Sequence, residues 1–109
     1  MSDLDLSLTP NQEVILSALR FRNRYGLEIM EAVEKSGGKS IGFNSLYPNL
    51  KKLEKKGFVK SEWGSEAPEK HTGARRKYYQ ITGTGTQALE AKQQLLDSVA
   101  NWLPGSQGV

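Results

Sequence analysis

Apolar residues recur along the chain with changing spacing, and each change marks an element. Val14, Ile15, Ala18 and Leu19 share one helical face, which predicts a first helix up to about Phe21. Thr9-Pro10-Asn11-Gln12 supplies its start, with Thr as cap, Pro in the first helical position and Gln three residues on to reach back. Arg20, Arg22 and Arg24 follow as a short basic turn. Tyr25-Gly26 opens a second helix with Ile29, Met30 and Val33 inward and Glu28, Glu31 and Glu34 toward water. Ser36-Gly37-Gly38 ends it, and Lys39-Ser40-Ile41-Gly42 reads as an extended link, long enough for one short strand.

Leu46, Leu50 and Leu53 then fall at i, i+4 and i+7, one stripe of a third helix. Ser45, Asn49, Lys52 and Lys56 make a second stripe that carries no acid. Asn44 or Ser45 can cap the start, which puts Pro48 in the first turn, where a missing N–H costs little. Gly57 suits the left-handed residue that ends a helix, with Phe58 and Leu53 in the positions of a Schellman contact. Phe58 to Trp63 alternates, with Val59 and Trp63 on one side, and reads as a strand. Gly64 to Gly73 is a polar loop, and Ala74 to Ile81 is an aromatic, β-branched returning strand. Trp63 and Tyr79 are read as hairpin core. Thr82 caps a last helix in which Leu89, Leu96 and Leu103 repeat every seven residues, as do Ala88, Leu95 and Trp102, with Lys92 interrupting the seam.

Three helices followed by a β-hairpin and a long helix define an α+β, mainly α fold. The arrangement is a winged helix-turn-helix with a long C-terminal dimerisation helix. The boundaries are a flexible arm over 1–8, a winged-helix DNA-binding domain over 9–82, the dimerisation helix over 83–104 and a tail over 105–109. In this arrangement the third helix enters the DNA major groove and the hairpin tip rides along the backbone.

A chain of 109 residues supports one domain with a modest core, so a second copy sharing that core is expected. There is no cysteine, hence no disulfide and no Cys-based metal site. No apolar run approaches the roughly 20 residues of a membrane span. The acidic start Met1-Ser2-Asp3-Leu4-Asp5 is unlike a secretory leader, and a cytoplasmic, nucleoid-associated location is expected. The net charge of +3 is modest, but its distribution is uneven. Lys51 to Lys77 holds seven Lys and two Arg against four Glu, a balance of +5, and the remainder balances to −2. Positive charge gathered in one segment is the footprint of a polyanion binder.

Ser45, Asn49 and Lys52 are the candidates for base-edge contact, with Asn44 at the helix start and Lys56 toward phosphate. Tyr47 offers a hydroxyl for phosphate or a ring for a thymine methyl, and Tyr25 opens a helix whose N–H groups suit a phosphate. Arg75, Arg76 and Lys77 are wing candidates for phosphate or the minor groove, joined near the tip by Lys70 and His71. His71 is the only histidine and has no nucleophile at a recognisable spacing, so no catalytic role follows. Glu62, Glu66 and Glu69 read as solvated. No cofactor, metal or enzymatic activity is expected.

Three segments together resemble the PadR-like family of bacterial transcriptional regulators. They are Tyr25-Gly26-Leu27-Glu28-Ile29, Ser45-Leu46-Tyr47-Pro48 running on to Leu53-Glu54-Lys55-Lys56-Gly57-Phe58-Val59, and Arg75-Arg76-Lys77-Tyr78-Tyr79-Gln80-Ile81-Thr82. The likeness runs from about Leu16 to Leu89. It implies a homodimeric winged-helix repressor on a near-palindromic operator, in the compact branch with a single C-terminal helix. The family usually has glycine where this chain has Asn44. The branch of cyanobacterial circadian-clock-associated Pex proteins is also similar, and no single motif separates it. The dimer would assemble through Leu89, Leu95, Leu96, Val99, Trp102 and Leu103. Some compact members hold flat aromatic molecules between interface tryptophans, which makes Trp102 the candidate contact for a small aromatic effector. A winged-helix protein-interaction module and an effector-sensing regulator are the alternative readings.

Overall fold

The computed structural model describes residues 5–64 and 75–105. The elements are α1 (Pro10–Ala18), β1 (Arg24–Tyr25), α2 (Gly26–Lys35), α3 (Phe43–Lys55), β2 (Val59–Trp63), β3 (Lys77–Ile81) and α4 (Gly83–Asn101). The three strands form one antiparallel sheet in the order β1-β3-β2. Val59 lies opposite Ile81 and Trp63 opposite Lys77, while Arg24 and Tyr25 pair with Tyr79 and Tyr78.

The third strand is therefore β1, ahead of α2, and the 39–42 link is not a strand. The reason lies in Arg24. Helix α1 stops at Ala18, short of Phe21, which is almost fully exposed. The Arg24 Nε donates to the Ala18 carbonyl at 2.6 Å, capping the helix end with a cation and drawing the chain back alongside β3. The link after α2 is instead pinned by Ile41, which is buried.

Helix starts and stops follow local chemistry. The Thr9 hydroxyl accepts from the Gln12 N–H and the Gln12 amide oxygen accepts from the Thr9 N–H, a reciprocal pair ahead of Pro10. At the end of α3 the Phe58 N–H donates to Leu53 O and the Gly57 N–H to Glu54 O, with Gly57 at φ +80°. That is the Schellman ending read from the sequence, and it inserts Phe58 and Leu53 together into the core. The start of α3 differs from expectation. Gly42 is the cap and Phe43 the first helical residue, so Pro48 sits one and a half turns in. There its missing N–H leaves the carbonyl of Asn44 without the usual helical donor.

The core joins Ile15, Leu16 and Leu19 of α1, Ile29 and Val33 of α2, the three leucines of α3, Phe58, Val59, Tyr79, Ala88 and Leu89. Burial raises the Tyr79 phenol above its ordinary range, with Tyr47 and Glu54 adding to the shift. Leu6 and Leu8 pack against this core, so the 5–8 stretch is attached rather than loose. Trp63, by contrast, is 60% exposed and no part of the core. It sits at the far end of β2, beyond the helices that cover Val59.

Helix α4 has two halves. Thr82 caps it by accepting from the Gly85 N–H, and its hydroxyl donates to Gly57 O at 2.6 Å. Gly85, Ala88 and Leu89 are buried, and Lys92 reaches Glu13 at 2.7 Å while Glu90 meets Arg20 at 3.2 Å. From Gln93 to Asn101 every residue is exposed.

Candidate nucleic-acid interface

Helix α3 turns Leu46, Leu50 and Leu53 inward; one polar stripe flanks that apolar one and a second lies opposite it. The first is the expected stripe of Ser45, Asn49, Lys52 and Lys56. The second, Asn44, Pro48, Lys51 and Lys55, is exposed throughout and equally free of acid. Lys51 and Lys55 were not singled out by the sequence reading. The i, i+4, i+7, i+11 repeat from Asn44 to Lys55 was the signal available for them.

The two stripes have different neighbours. Ser45 and Asn49 are half-buried against α1. The Asn11 amide donates to the Ser45 hydroxyl at 3.1 Å, and the Gln12 amide donates to the Asn49 carbonyl oxygen at 3.3 Å. The Asn49 amide in turn donates to Ser45 O at 2.9 Å. Gln12 is almost wholly buried, and its one side chain both caps α1 and orients Asn49. Asn49 thus bridges α1 and α3 with both ends of its amide, instead of projecting freely as a base-edge reader. The sequence carried no warning of this, because a buried Gln looks like any other helical polar residue. Lys56 is engaged as well: its ammonium donates to Ser7 O at 3.1 Å and lies 3.8 Å from Asp5. Bonds from the Ser7 hydroxyl and N–H, and then Lys56, hold the Asp5 carboxyl below the usual carboxylate range. Lys52 remains exposed.

Tyr47 joins α3 to α2. A Cβ on Gly26 would lie 2.0 Å from the Tyr47 hydroxyl oxygen, so the phenol rests directly on the first residue of α2. Phe43 stacks on the Tyr47 ring with centroids 5.8 Å apart and planes 9° from parallel. The wing root lies beside them. Arg76 sits over Tyr25 at 4.5 Å, Tyr25 meets Tyr78 edge-on at 5.5 Å, and Lys77 sits over Trp63 at 5.6 Å. Arg75 and Lys77 are exposed. Tyr25, Tyr47, Arg75, Arg76 and Lys77 therefore line one cleft. Lys70 and His71 fall outside the described residues, as do Glu66, Glu69 and the 106–109 tail.

Leu95, Leu96 and Val99 on α4, and Trp102 and Leu103 just beyond its end at Asn101, where the chain turns extended, are each more than half exposed. Leu89 is not: it is packed into the core of its own chain, because the first half of α4 docks on the fold. The exposed apolar strip thus begins at Leu95. Among the described residues, no helix is long and apolar enough to cross a membrane and no cluster of His, Asp and Glu could hold a metal.

Three helices, a β-hairpin wing paired with β1 and a further helix after it define a winged-helix protein. The sequence pattern of the transcriptional regulator PadR-like family matches residues 15–91, and the chain belongs to that family. It is similar to a PadR family transcription regulator from Clostridium difficile R20291, at 31% identity over 82% of this chain and 88% of that one, with a TM-score of 0.68. A transcriptional regulator from Clostridium thermocellum shares 32% identity, covering 83% and 88% of the two chains, with a TM-score of 0.63. A PadR family transcriptional regulator from Eggerthella lenta shares 29% over 89% and 83%, with a TM-score of 0.65. No curated protein gives a significant match.

Proposed function

We propose that the chain is a sequence-specific double-stranded DNA-binding repressor that acts as a homodimer on a near-palindromic operator. The observation that carries this reading is α3 itself. Its leucine face is sealed in the core, while its opposite side offers Asn44, Lys51, Lys52 and Lys55, with Tyr47 at one edge and the helix's one acid, Glu54, beside it and bonded to the Ser61 hydroxyl. Small polar groups at the helix start suit base edges, and the lysines suit phosphates. Arg75, Arg76 and Lys77 at the wing root continue the positive surface. Ser45 and Asn49 then act mainly by fixing α3 against α1, with Ser45 at the rim of the groove.

Two copies would join through Leu95, Leu96, Val99, Trp102 and Leu103. Complete burial of one such side chain is worth about 1.5–3 kcal/mol, so five per protomer form a credible seam. Dimerisation through α4 would hold two recognition helices about 34 Å apart, one turn of DNA. Exposed Trp102 at the end of that seam is the best-suited contact for a small aromatic effector.

The test is binding of labelled duplex by fluorescence anisotropy across a salt series. Log affinity should fall steeply and linearly with log salt, and Lys52→Ala should lower that slope by about one. A salt-independent affinity would count against the reading.

A further inference from the structure

Three aromatic rings stand exposed beside the basic face without any role in the core. Phe43 is 54% exposed, Tyr47 43% and Trp63 60%. They wall a single open cleft of about 450 Å³, between the starts of α2 and α3 and the root of the wing. Phe43 lies in a flat stack on Tyr47, and Trp63 has the Lys77 ammonium over its ring. Arg75 and Lys77 complete the rim, and among the described residues the lining includes no carboxylate. Exposed apolar surface gathered in one place marks a binding surface more often than a chance grouping does.

We infer that this cleft seats one strand of the duplex: Phe43 and Trp63 pack against deoxyribose carbons and an outward thymine methyl, while Arg75 and Lys77 take the flanking phosphates. The inference rests on the DNA-binding reading above and assigns to it a nonpolar component. Charge decides the class of occupant, since Arg75, Arg76 and Lys77 line the cleft and no described lining residue is acidic, which fits a polyanion. Continuity decides that the occupant is the duplex. Tyr47 belongs both to the cleft wall and to the outer side of α3, so a strand lying along the helix runs directly into the cleft. Bases within a duplex are stacked and paired, so the rings meet sugar and methyl carbon rather than base faces. This contact differs from a phosphate bond in one measurable way: it releases no counterion.

The test pairs affinity with a local probe. Trp102→Phe leaves Trp63 as the one tryptophan, and its duplex affinity is measured alongside the parent's. Adding duplex should quench Trp63 emission with the same midpoint as the anisotropy, and free thymidine monophosphate at that concentration should not. Phe43→Ala should weaken binding about five- to tenfold with an unchanged salt slope, whereas Arg75→Ala should weaken it and reduce the slope by about one. The inference is overturned if the complex forms while Trp63 emission stays constant. It is also overturned if Phe43→Ala binds like the parent, or if the mononucleotide quenches as well as the duplex. If no duplex changes the anisotropy of the parent protein, the DNA-binding reading itself fails, a result distinct from a complex that leaves Trp63 untouched.

Discussion

The same substitution at two glycines should have opposite consequences, because what each glycine faces is different. At Gly85 an added Cβ would lie 2.2 Å from the Phe58 carbonyl oxygen and 3.1 Å from its carbon. That carbonyl is backbone, in the turn that closes α3 and accepts the Thr82 N–H. It cannot retreat without breaking the junction between α3, the sheet and α4. Overpacking of this kind costs about 1–3 kcal/mol, and the alanine's better helix propensity returns about 1 at most. At Gly26 the obstacle is the Tyr47 hydroxyl at 2.0 Å, the far end of a half-exposed side chain. Rotation of Tyr47 relieves that clash, and Gly26 has no positive φ to strain an alanine. Gly26→Ala should therefore leave stability within about 1 kcal/mol of the parent while moving Tyr47 off α2 and unstacking Phe43. Thermal unfolding at fixed chain concentration measures the first effect. With about 4–8 °C per kcal/mol for a chain of this size, a net loss of about 2 kcal/mol at Gly85→Ala should lower Tm by at least about 8 °C, and Gly26→Ala should lower it by clearly less. Duplex binding measures the second, and Gly26→Ala should lose about tenfold in affinity. The reasoning is refuted if Gly26→Ala unfolds as readily as Gly85→Ala, or if it binds duplex as tightly as the parent.

Leu96→Glu and Val99→Glu should each yield a folded monomer in sedimentation, since both side chains are exposed in the single chain, with a lower Tm that no longer depends on chain concentration; a persistent dimer would remove α4 from the interface. Gln12→Ala leaves the Thr9 N–H and the Asn49 amide without their partner, and should cost about 1–3 kcal/mol in urea unfolding; a neutral result would mean that the α1–α3 bridge carries no weight. Asp5→Asn frees Lys56 from its acidic neighbour and should raise duplex affinity about twofold, with a slightly steeper salt dependence; unchanged binding would show that Lys56 stays away from DNA. The Asp5 carboxyl sits below its ordinary range, so the clasp of the arm on Lys56 holds at neutral pH. It should loosen only as pH falls through that depressed value, a change that carbon-detected titration of Asp5 reports.

The sequence revealed what depends on local chemistry. The Thr9 capping box, the Schellman ending at Gly57, the leucine stripe of α3 and the Thr82 cap each involve residues a few positions apart, and each formed as read. Long-range partners were less legible. β1 exists because Arg24 caps α1 and β3 lies within reach, and neither fact shows in a stretch read as a basic turn. Trp63 alternates correctly with Val59, yet the core ends before reaching it. At the candidate interface, periodicity and charge pointed to α3 and to exposed Lys52, but not to Lys51 and Lys55 on its outermost stripe. The inward engagement of Asn49 did not, because its partner Gln12 lies 37 residues away. The clasp of Asp5 on Lys56 was hidden for the same reason, as their neighbourhood depends on Leu6 and Leu8 docking on the core. Leu89 fits a heptad seam by spacing alone, and only the docking of α4 shows which half of that seam is turned inward.

Selection of bound duplexes from a random pool, with the complete chain as bait, tests the central claim most directly. Two α3 helices reading successive turns of one duplex should enrich an inverted repeat whose half-sites are centred about 10 base pairs apart or a multiple of that. A pool that stays random after repeated rounds, or that converges on single-stranded or unpaired sites, would contradict the account.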